Sequence, residues 1–398
     1  MNSGLKKRKI LVINQHFSTG GIKKSLESLI PILMDNYNVN ILLLSGNTKE
    51  FDEKYPNIRI DSPFVVSSVL SSLKDIKEMN LYVIRFFIKI LFWVLSKVVN
   101  SEKLVKFAIN VSNRLGKYDC VISYSHDNWS ESGSFFGGGN YLALKKTNSV
   151  NKISWLHGEP ITIGLTKERL FQTYSEFNHI IAVSDAVKAQ FESLSDGKIL
   201  CERIYNIINT GMILNKCKKI SYQEDFDKFR IVTVGRLSKF AKRIDKINEI
   251  ARKLKEHGYK FKWTVVGGGS EYNFCIRKCR EYGLDEMVKY VGDQENPYTY
   301  IKESDLFVLV SDSESMSLVI NEALIIGTPV VTTDFQAAKE SVLDGVTGFI
   351  VGKSVDSLFE KIANCIDNRE QLKTIRVNIK EHPYSNDIAI KSIKKLVG

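Results

Sequence analysis

The chain has 398 residues, 43% of them hydrophobic and 25% charged, with seven prolines and a formal net charge of +11. That length suits two ordinary domains rather than one, and the balance excludes large-scale disorder. Of the six cysteines only Cys275 and Cys279 are close, one helical turn apart with no second pair or histidine cluster nearby. Neither a zinc site nor a disulfide framework is indicated, and a reducing cytoplasm is expected.

The opening MNSGLKKRKILVINQHF is basic like a signal peptide, but its apolar run from Ile10 to Ile13 is too short for one. It predicts a first buried strand at 9–13, in a protein that stays inside the cell. Ser18-Thr19-Gly20-Gly21-Ile22 follows that strand and opens a helix at 22–33, without the G-x-G-x-x-G spacing of a dinucleotide site. Further short apolar runs at 39–44, 120–124, 152–156 and 179–183 read as strands, and 185–194 as a helix. The run at 152–156 ends in His157-Gly158-Glu159, which makes His157 either a structural hydrogen-bonder or a group that meets substrate.

Between Lys74 and Lys117 nine Lys or Arg oppose three acids, a net +6. No stacking motif, zinc finger or helix-turn-helix signature accompanies this charge, so nucleic acid is not the expected partner. Within the segment, residues 81–99 (LYVIRFFIKILFWVLSKVV) are apolar enough to suggest a membrane span, but Arg85, Lys89 and Lys97 are expensive in hydrocarbon. At about 100° per residue the three cations share one third of a helix circumference. Two readings stand: an in-plane helix on an anionic membrane face, or a helix packed on the first domain with its basic edge in water.

Residues 206–228 are polar, lack periodicity and mark a hinge. Beyond them the strand runs recur at 230–234, 261–266, 288–291, 306–310 and 329–332, with helices at 242–257, 272–282, 297–303 and 317–326. Alternation of this kind predicts two α/β, Rossmann-like, doubly wound domains facing across a cleft. The expected boundaries are 1–205 and 206–383, with a C-terminal helix at about 384–398 returning to the first domain. The strand at 306–310 feeds a polar loop, Ser311 to Ser315, and then a helix that Gly327-Thr328-Pro329 stops. Exposed amides at such a helix start suit a diphosphate.

The segment SDSESMSLVINEALIIGTPVV, with Glu314, Ser315, Met316, Ser317, Leu318, Glu322, Gly327 and Pro329, resembles the E-x(7)-E signature of glycosyltransferase family 4. Val234-Gly235-Arg236-Leu237 followed by Lys242-Arg243-Ile244-Asp245 is similar to that family's G-R-L…K-G-x-D element. It departs in one respect: the lysine comes six residues after the arginine where five is usual, so Lys239 rivals Lys242. Val265-Val266-Gly267-Gly268-Gly269 and Val291-Gly292 resemble its nucleotide-approaching turns, and Gly20 and Gly21 its first-strand glycine loop near donor phosphate and acceptor. The resemblance implies a GT-B fold and retaining transfer of a sugar from a nucleotide-diphosphate donor, a UDP-sugar by preference, to a hydroxyl acceptor; no D-x-D triad stands near a strand end and Arg236, Lys242 and amides can meet the phosphate charge, so no metal is expected. It also implies roles: Glu314 on the transferring sugar, Glu322 on the ribose, Arg236 and Lys242 on the diphosphate. Lipid-linked, oligosaccharide or protein acceptors fit it equally. The rivals are a sugar-nucleotide epimerase of the same fold and a non-catalytic, membrane-bound partner subunit.

Overall fold

A computed structural model describes residues 7–17, 20–46, 48–130, 134–217, 228–238 and 242–398. The chain divides into two units, Met1–Ile208 together with Asp387–Gly398, and Asn209–Asn386.

The first unit is built on strands β1 (Lys9–Asn14), β2 (Asn38–Leu43), β3 (Arg59–Ile60), β4 (Cys120–Ser123), β5 (Asn151–Leu156), β6 (His179–Ala182) and β7 (Glu202–Arg203). They pair in parallel in the order β7-β6-β5-β4-β1-β2-β3. β1 is buried from Ile10 onward, the continuous apolar run required of a parallel strand covered on both faces. Helix α1 (Gly21–Asn36) follows it.

The second unit repeats the plan with β8 (Phe229–Val234), β9 (Phe261–Val266), β10 (Val288–Gly292), β11 (Leu306–Leu309), β12 (Val330–Thr333) and β13 (Gly348–Val351). These are parallel in the order β10-β9-β8-β11-β12-β13. Phe229, Trp263 and Val308 lie in its core. Both orders reverse between their first and fourth strands, at β1/β4 and β8/β11. In open α/β sheets, ligands bind outside the carboxyl ends of strands at such a switch point.

Ten strand segments legible in the sequence reappear with ends shifted by a residue or so. Three were missed: β3 and β7, two residues each, are too short to show a period, and β13 has only four residues, of which the first is glycine. The helix expected from Lys242 begins instead at Asp245 (Asp245–Glu256), because Arg243 adopts a left-handed backbone, φ 43°, that no helix accepts. The last helix, Asp387–Val397, belongs to the first unit. There Asn151 Nδ2 donates to the Leu396 carbonyl at 2.9 Å and Arg8 to those of Val397 and Gly398.

In the basic segment, α2 (Phe64–Leu70) and α3 (Leu73–Lys77) carry α4 (Tyr82–Leu95). Neither reading of that helix is right about its cations. Arg85 donates to Ser67 Oγ at 2.8 Å and Ser68 Oγ at 3.1 Å, and Lys89 to the Val69 carbonyl at 2.6 Å. Carbonyls in the last turn of a helix lack intrahelical donors, so cations turn inward to them. Among the described residues, no helix is long and apolar enough to cross a membrane.

Candidate active site

The switch point of the second unit gathers most of the residues singled out in the sequence. β8 runs out into Gly235 and Arg236, and β11 into the loop from Ser311 to Glu314. Lys242 Nζ lies 2.5 Å from Glu314 Oε1, and Ser311 Oγ donates to the same oxygen at 2.7 Å. The Thr333 hydroxyl on β12 donates to the Ser311 carbonyl and fixes the loop. Arg236 is exposed and has no hydrogen bond or ion pair among the described residues, so a permanent cation stands open at the strand end. Lys239, the rival of Lys242, lies outside the described residues.

A second charge cluster, which the sequence reading did not single out, braces this one. Asp312 accepts from Arg243 at 2.7 Å and from Lys246 at 2.5 Å. Burial alone would raise the Asp312 pKa, but the hydrogen bonds from Lys246 and Arg243 outweigh it and hold the carboxyl below its usual range. Those contacts, with the Arg243–Asp245 pair at 3.0 Å, keep Arg243 in a backbone region costing a non-glycine residue about 1–3 kcal/mol.

The helix after the loop, Leu318–Ile326, begins without a side-chain cap and without an acid in its first turn. Ser317, at the cap position, is buried and its Oγ makes no hydrogen bond among the described residues. The partial positive charge of those amides thus meets neither a side-chain cap nor a first-turn acid among the described residues, and suits an anion. Ser315 and Met316 lead into it half-buried, and Leu318 is buried. Glu322, the fifth residue, is 2% exposed and accepts from the Tyr298 hydroxyl at 3.4 Å.

The glycine turn after β9 has a packing cause. A Cβ on Gly267, φ 135°, would lie 2.0 Å from the Gly235 carbonyl oxygen, and one on Gly268 would lie 2.4 Å from Asp293 Oδ2. The turns after β8, β9 and β10 thus interlock, with Gly267 N–H donating to the Gly292 carbonyl at 2.8 Å. Gly292, φ 71°, needs its freedom for that turn.

The first unit's switch point is richer in buried polar groups than the sequence suggested. Ser25 Oγ lies 2.5 Å from the Tyr124 hydroxyl and donates to Asn206 Oδ1 at 2.8 Å. The His157 ring lies edge-on to Tyr124, centroids 4.6 Å apart. Burial first, and neighbouring His126 second, push its pKa down to about 3, and burial pushes that of His126 down to about 4. His157 is therefore a neutral imidazole near neutral pH, unable to serve there as a cationic acid. Side-chain atoms of Asn14, Gln15 and Ser123, at the ends of β1 and β4, are buried without partners among the described residues. Gly20, φ 136°, stands at the cap of α1 and Gly21 is its first residue, while Ser18 and Thr19 lie outside the described residues. A cavity of about 660 Å3 opens beside these strand ends, lined by His16, Phe17, Ser45, Gly46, Leu70 and Phe136 among others. His126 could have been found by the signal that marked His157, a polar residue just past a strand's carboxyl end. Ser25, inside a helix, gave none.

Six cysteines are buried and unpaired, and among the described residues no group of three or more His, Cys, Asp or Glu could hold a metal. Residues 218–382 match the family model described as glycosyl transferases group 1. An uncharacterized glycosyltransferase of Methanocaldococcus jannaschii is 25% identical over 212 residues, 50% of this chain and 52% of its own length. The N-acetylgalactosamine-N,N'-diacetylbacillosaminyl-diphospho-undecaprenol 4-alpha-N-acetylgalactosaminyltransferase of Campylobacter jejuni is 28% identical over 204 residues, 50% of this chain and 54% of its own. The chain thus spans about half the length of the curated relatives it matches. Among solved structures, Anabaena HepE in complex with UDP and glucose superposes with a TM-score of 0.68 at 17% identity, covering 98% of both chains. A mutant of Staphylococcus aureus TarM, in complex with UDP, gives 0.70 at 13% identity, covering 98% of this chain and 100% of that one. Arg236, Lys242, Glu314 and Glu322 therefore lie within a segment that matches group 1 glycosyl transferases, in a chain whose two Rossmann-like units have the GT-B fold.

Proposed function

We propose that the chain is a glycosyltransferase that moves a sugar, with retention of anomeric configuration and without a metal, from a UDP-sugar to a hydroxyl acceptor. The observation that carries this reading is the charge arrangement at the β8/β11 switch point. Open Arg236, Lys242 paired with Glu314 and an uncapped helix start converge where a nucleotide diphosphate is expected. Negative charge grows on a diphosphate as it leaves, so these groups favour the transition state over the ground state. Glu314 contacts the transferring sugar and Glu322 the ribose. Ser315, Met316, Ser317 and Leu318 line the donor, and Gly267, Gly268 and Gly292 bring backbone to the nucleotide. Gly20, Gly21 and neutral His157 serve donor phosphate and acceptor in the first unit.

The Campylobacter jejuni relative's name places its acceptor on a diphospho-undecaprenol. By that likeness the acceptor here is carried on a lipid at an anionic membrane surface, in the synthesis of surface polysaccharide, wall polymer or glycoconjugate. The test is a UDP-sugar screen by thermal shift and by hydrolysis, followed by product analysis with lipid extract. Donor-dependent transfer that fails in Arg236→Ala and Glu314→Ala supports the reading. Epimerised UDP-sugar formed without acceptor, or wild-type transfer by both variants, overturns it.

A further inference from the structure

Helix α4 is amphipathic in the reverse of the usual sense. Its half-buried stripe holds Arg85, Ile88, Lys89 and Phe92, with Ser96 at the C-cap, while Tyr82, Val83, Ile84, Phe86, Phe87, Ile90, Leu91, Trp93, Val94 and Leu95 are all exposed. No charged residue stands among those ten. Soluble surfaces rarely leave so much contiguous apolar area to water. The inward cations are fixed: Arg85 also lies 4.2 Å from the Phe64 ring, and burial lowers the pKa of Lys89. Nothing among the described residues covers the outward face.

Charge decides between occupants. Lys74, Lys77, Lys97, Lys103, Arg114 and Lys117 flank the helix in sequence, are exposed, and have no ion-pair partner among the described residues. Between Glu78 and Glu102 there is no acid. A second copy packed face to face would set these cations against their own counterparts, whereas an anionic lipid surface complements them at about 1 kcal/mol per residue near the surface. Lys97 lies 4.9 Å above the Trp93 ring, an amphipathic pair suited to the headgroup level.

We infer that the apolar face of α4 inserts into the outer part of an anionic lipid leaflet, while Arg85 and Lys89 anchor the helix to the protein and do not touch headgroups. This specifies the mode of the membrane partnership in the proposed function, and rests on that reading only for the membrane, not for sugar transfer.

The test uses the full chain and no donor, so its failure is separate from failure of the transferase reading. Trp93 is exposed whereas Trp129, Trp155 and Trp263 are at most 5% exposed, which makes it the natural reporter. On phosphatidylglycerol-containing vesicles its emission shifts to the blue and is quenched by brominated acyl chains; Trp93→Phe removes both signals. The triple variant Phe87→Ser, Leu91→Ser, Val94→Ser loses vesicle affinity by at least ~10-fold with an unchanged melting temperature, because the altered side chains leave water only on insertion. Arg85→Gln and Lys89→Gln lower the melting temperature and leave the depth of Trp93 quenching as it was. Three outcomes overturn the inference: no quenching on anionic vesicles, wild-type binding by the triple variant, or a lipid-free dimer that shields Trp93 and that Leu91→Ser dissociates.

Discussion

The ammonium of Lys242 and the carboxylate of Glu314 meet at 2.5 Å across 72 residues of sequence, joining the carboxyl ends of β8 and β11 through their side chains. Without donor each neutralises the other. In the proposed reaction a diphosphate takes Lys242 and frees Glu314 for the sugar. Lys242→Ala is expected to abolish the UDP-dependent rise in melting temperature. Glu314→Gln should keep that rise while transfer falls about 100- to 1,000-fold, the usual effect of losing one group that acts on developing charge. The two changes combined should cost less than the sum of each alone, since the groups act as a unit. Wild-type turnover by Glu314→Gln would remove Glu314 from the mechanism.

Arg236 gives a cleaner separation of binding from folding. Because it is exposed and makes no hydrogen bond or ion pair among the described residues, Arg236→Ala is expected to leave the melting temperature within about 0.5 kcal/mol equivalent of wild type. Donor KM should rise and kcat fall together. A large loss of stability would mean that the side chain has a structural partner instead.

Two glycines of the interlocked turns, Gly267 and Gly235, give a stability test. Gly267→Ala would set a methyl group 2.0 Å from the Gly235 carbonyl oxygen at φ 135°, and an overpacking loss of at least about 1–3 kcal/mol is expected. Among the described residues Gly235→Ala meets nothing closer than Lys242 at 4.0 Å, and it should unfold nearly as wild type does. Denaturant midpoints for the two variants check the contrast, and equal midpoints would refute the interlocked turns.

The histidine pair predicts an acid limb. The unfolded chain takes up these protons near the ordinary 6.5, the folded chain only near 4 at His126 and 3 at His157. Stability is therefore lost as pH falls from about 6.5 toward 4. Asp127 works the other way: burial raises its pKa from 3.8 to about 6, which favours the folded state as pH falls through that window. Two histidines outweigh one carboxyl, so the double variant His126→Gln, His157→Gln should flatten the decline in melting temperature by roughly 10 °C. Melting curves at pH 7, 6, 5 and 4.5 measure it; an unchanged decline would show that other groups set the acid limb.

Much of the fold was legible because parallel strands buried on both faces are written as unbroken apolar runs, as ILVI in β1 and LFVL in β11 are. The donor-side segment was legible for a related reason: Glu314 and Glu322 sit on one loop-and-helix stretch, so spacing in sequence carries spacing in space. Asp312 was not, since its partners Arg243 and Lys246 come from another strand's end and their meeting is tertiary. The orientation of α4 was not legible either. Periodicity places Arg85 and Lys89 on one stripe, but only the carbonyls and hydroxyls at the end of α2 determine that the stripe faces inward.

The terminal helix Asp387–Val397 has a consequence for how the molecule is made. It completes the first unit, yet on a ribosome it is synthesised after all of Asn209–Asn386. The second unit can therefore collapse on itself while the first still lacks its closing piece, with Asn151 and Arg8 waiting for carbonyls that have not yet been translated. The first unit to begin is the last to be finished.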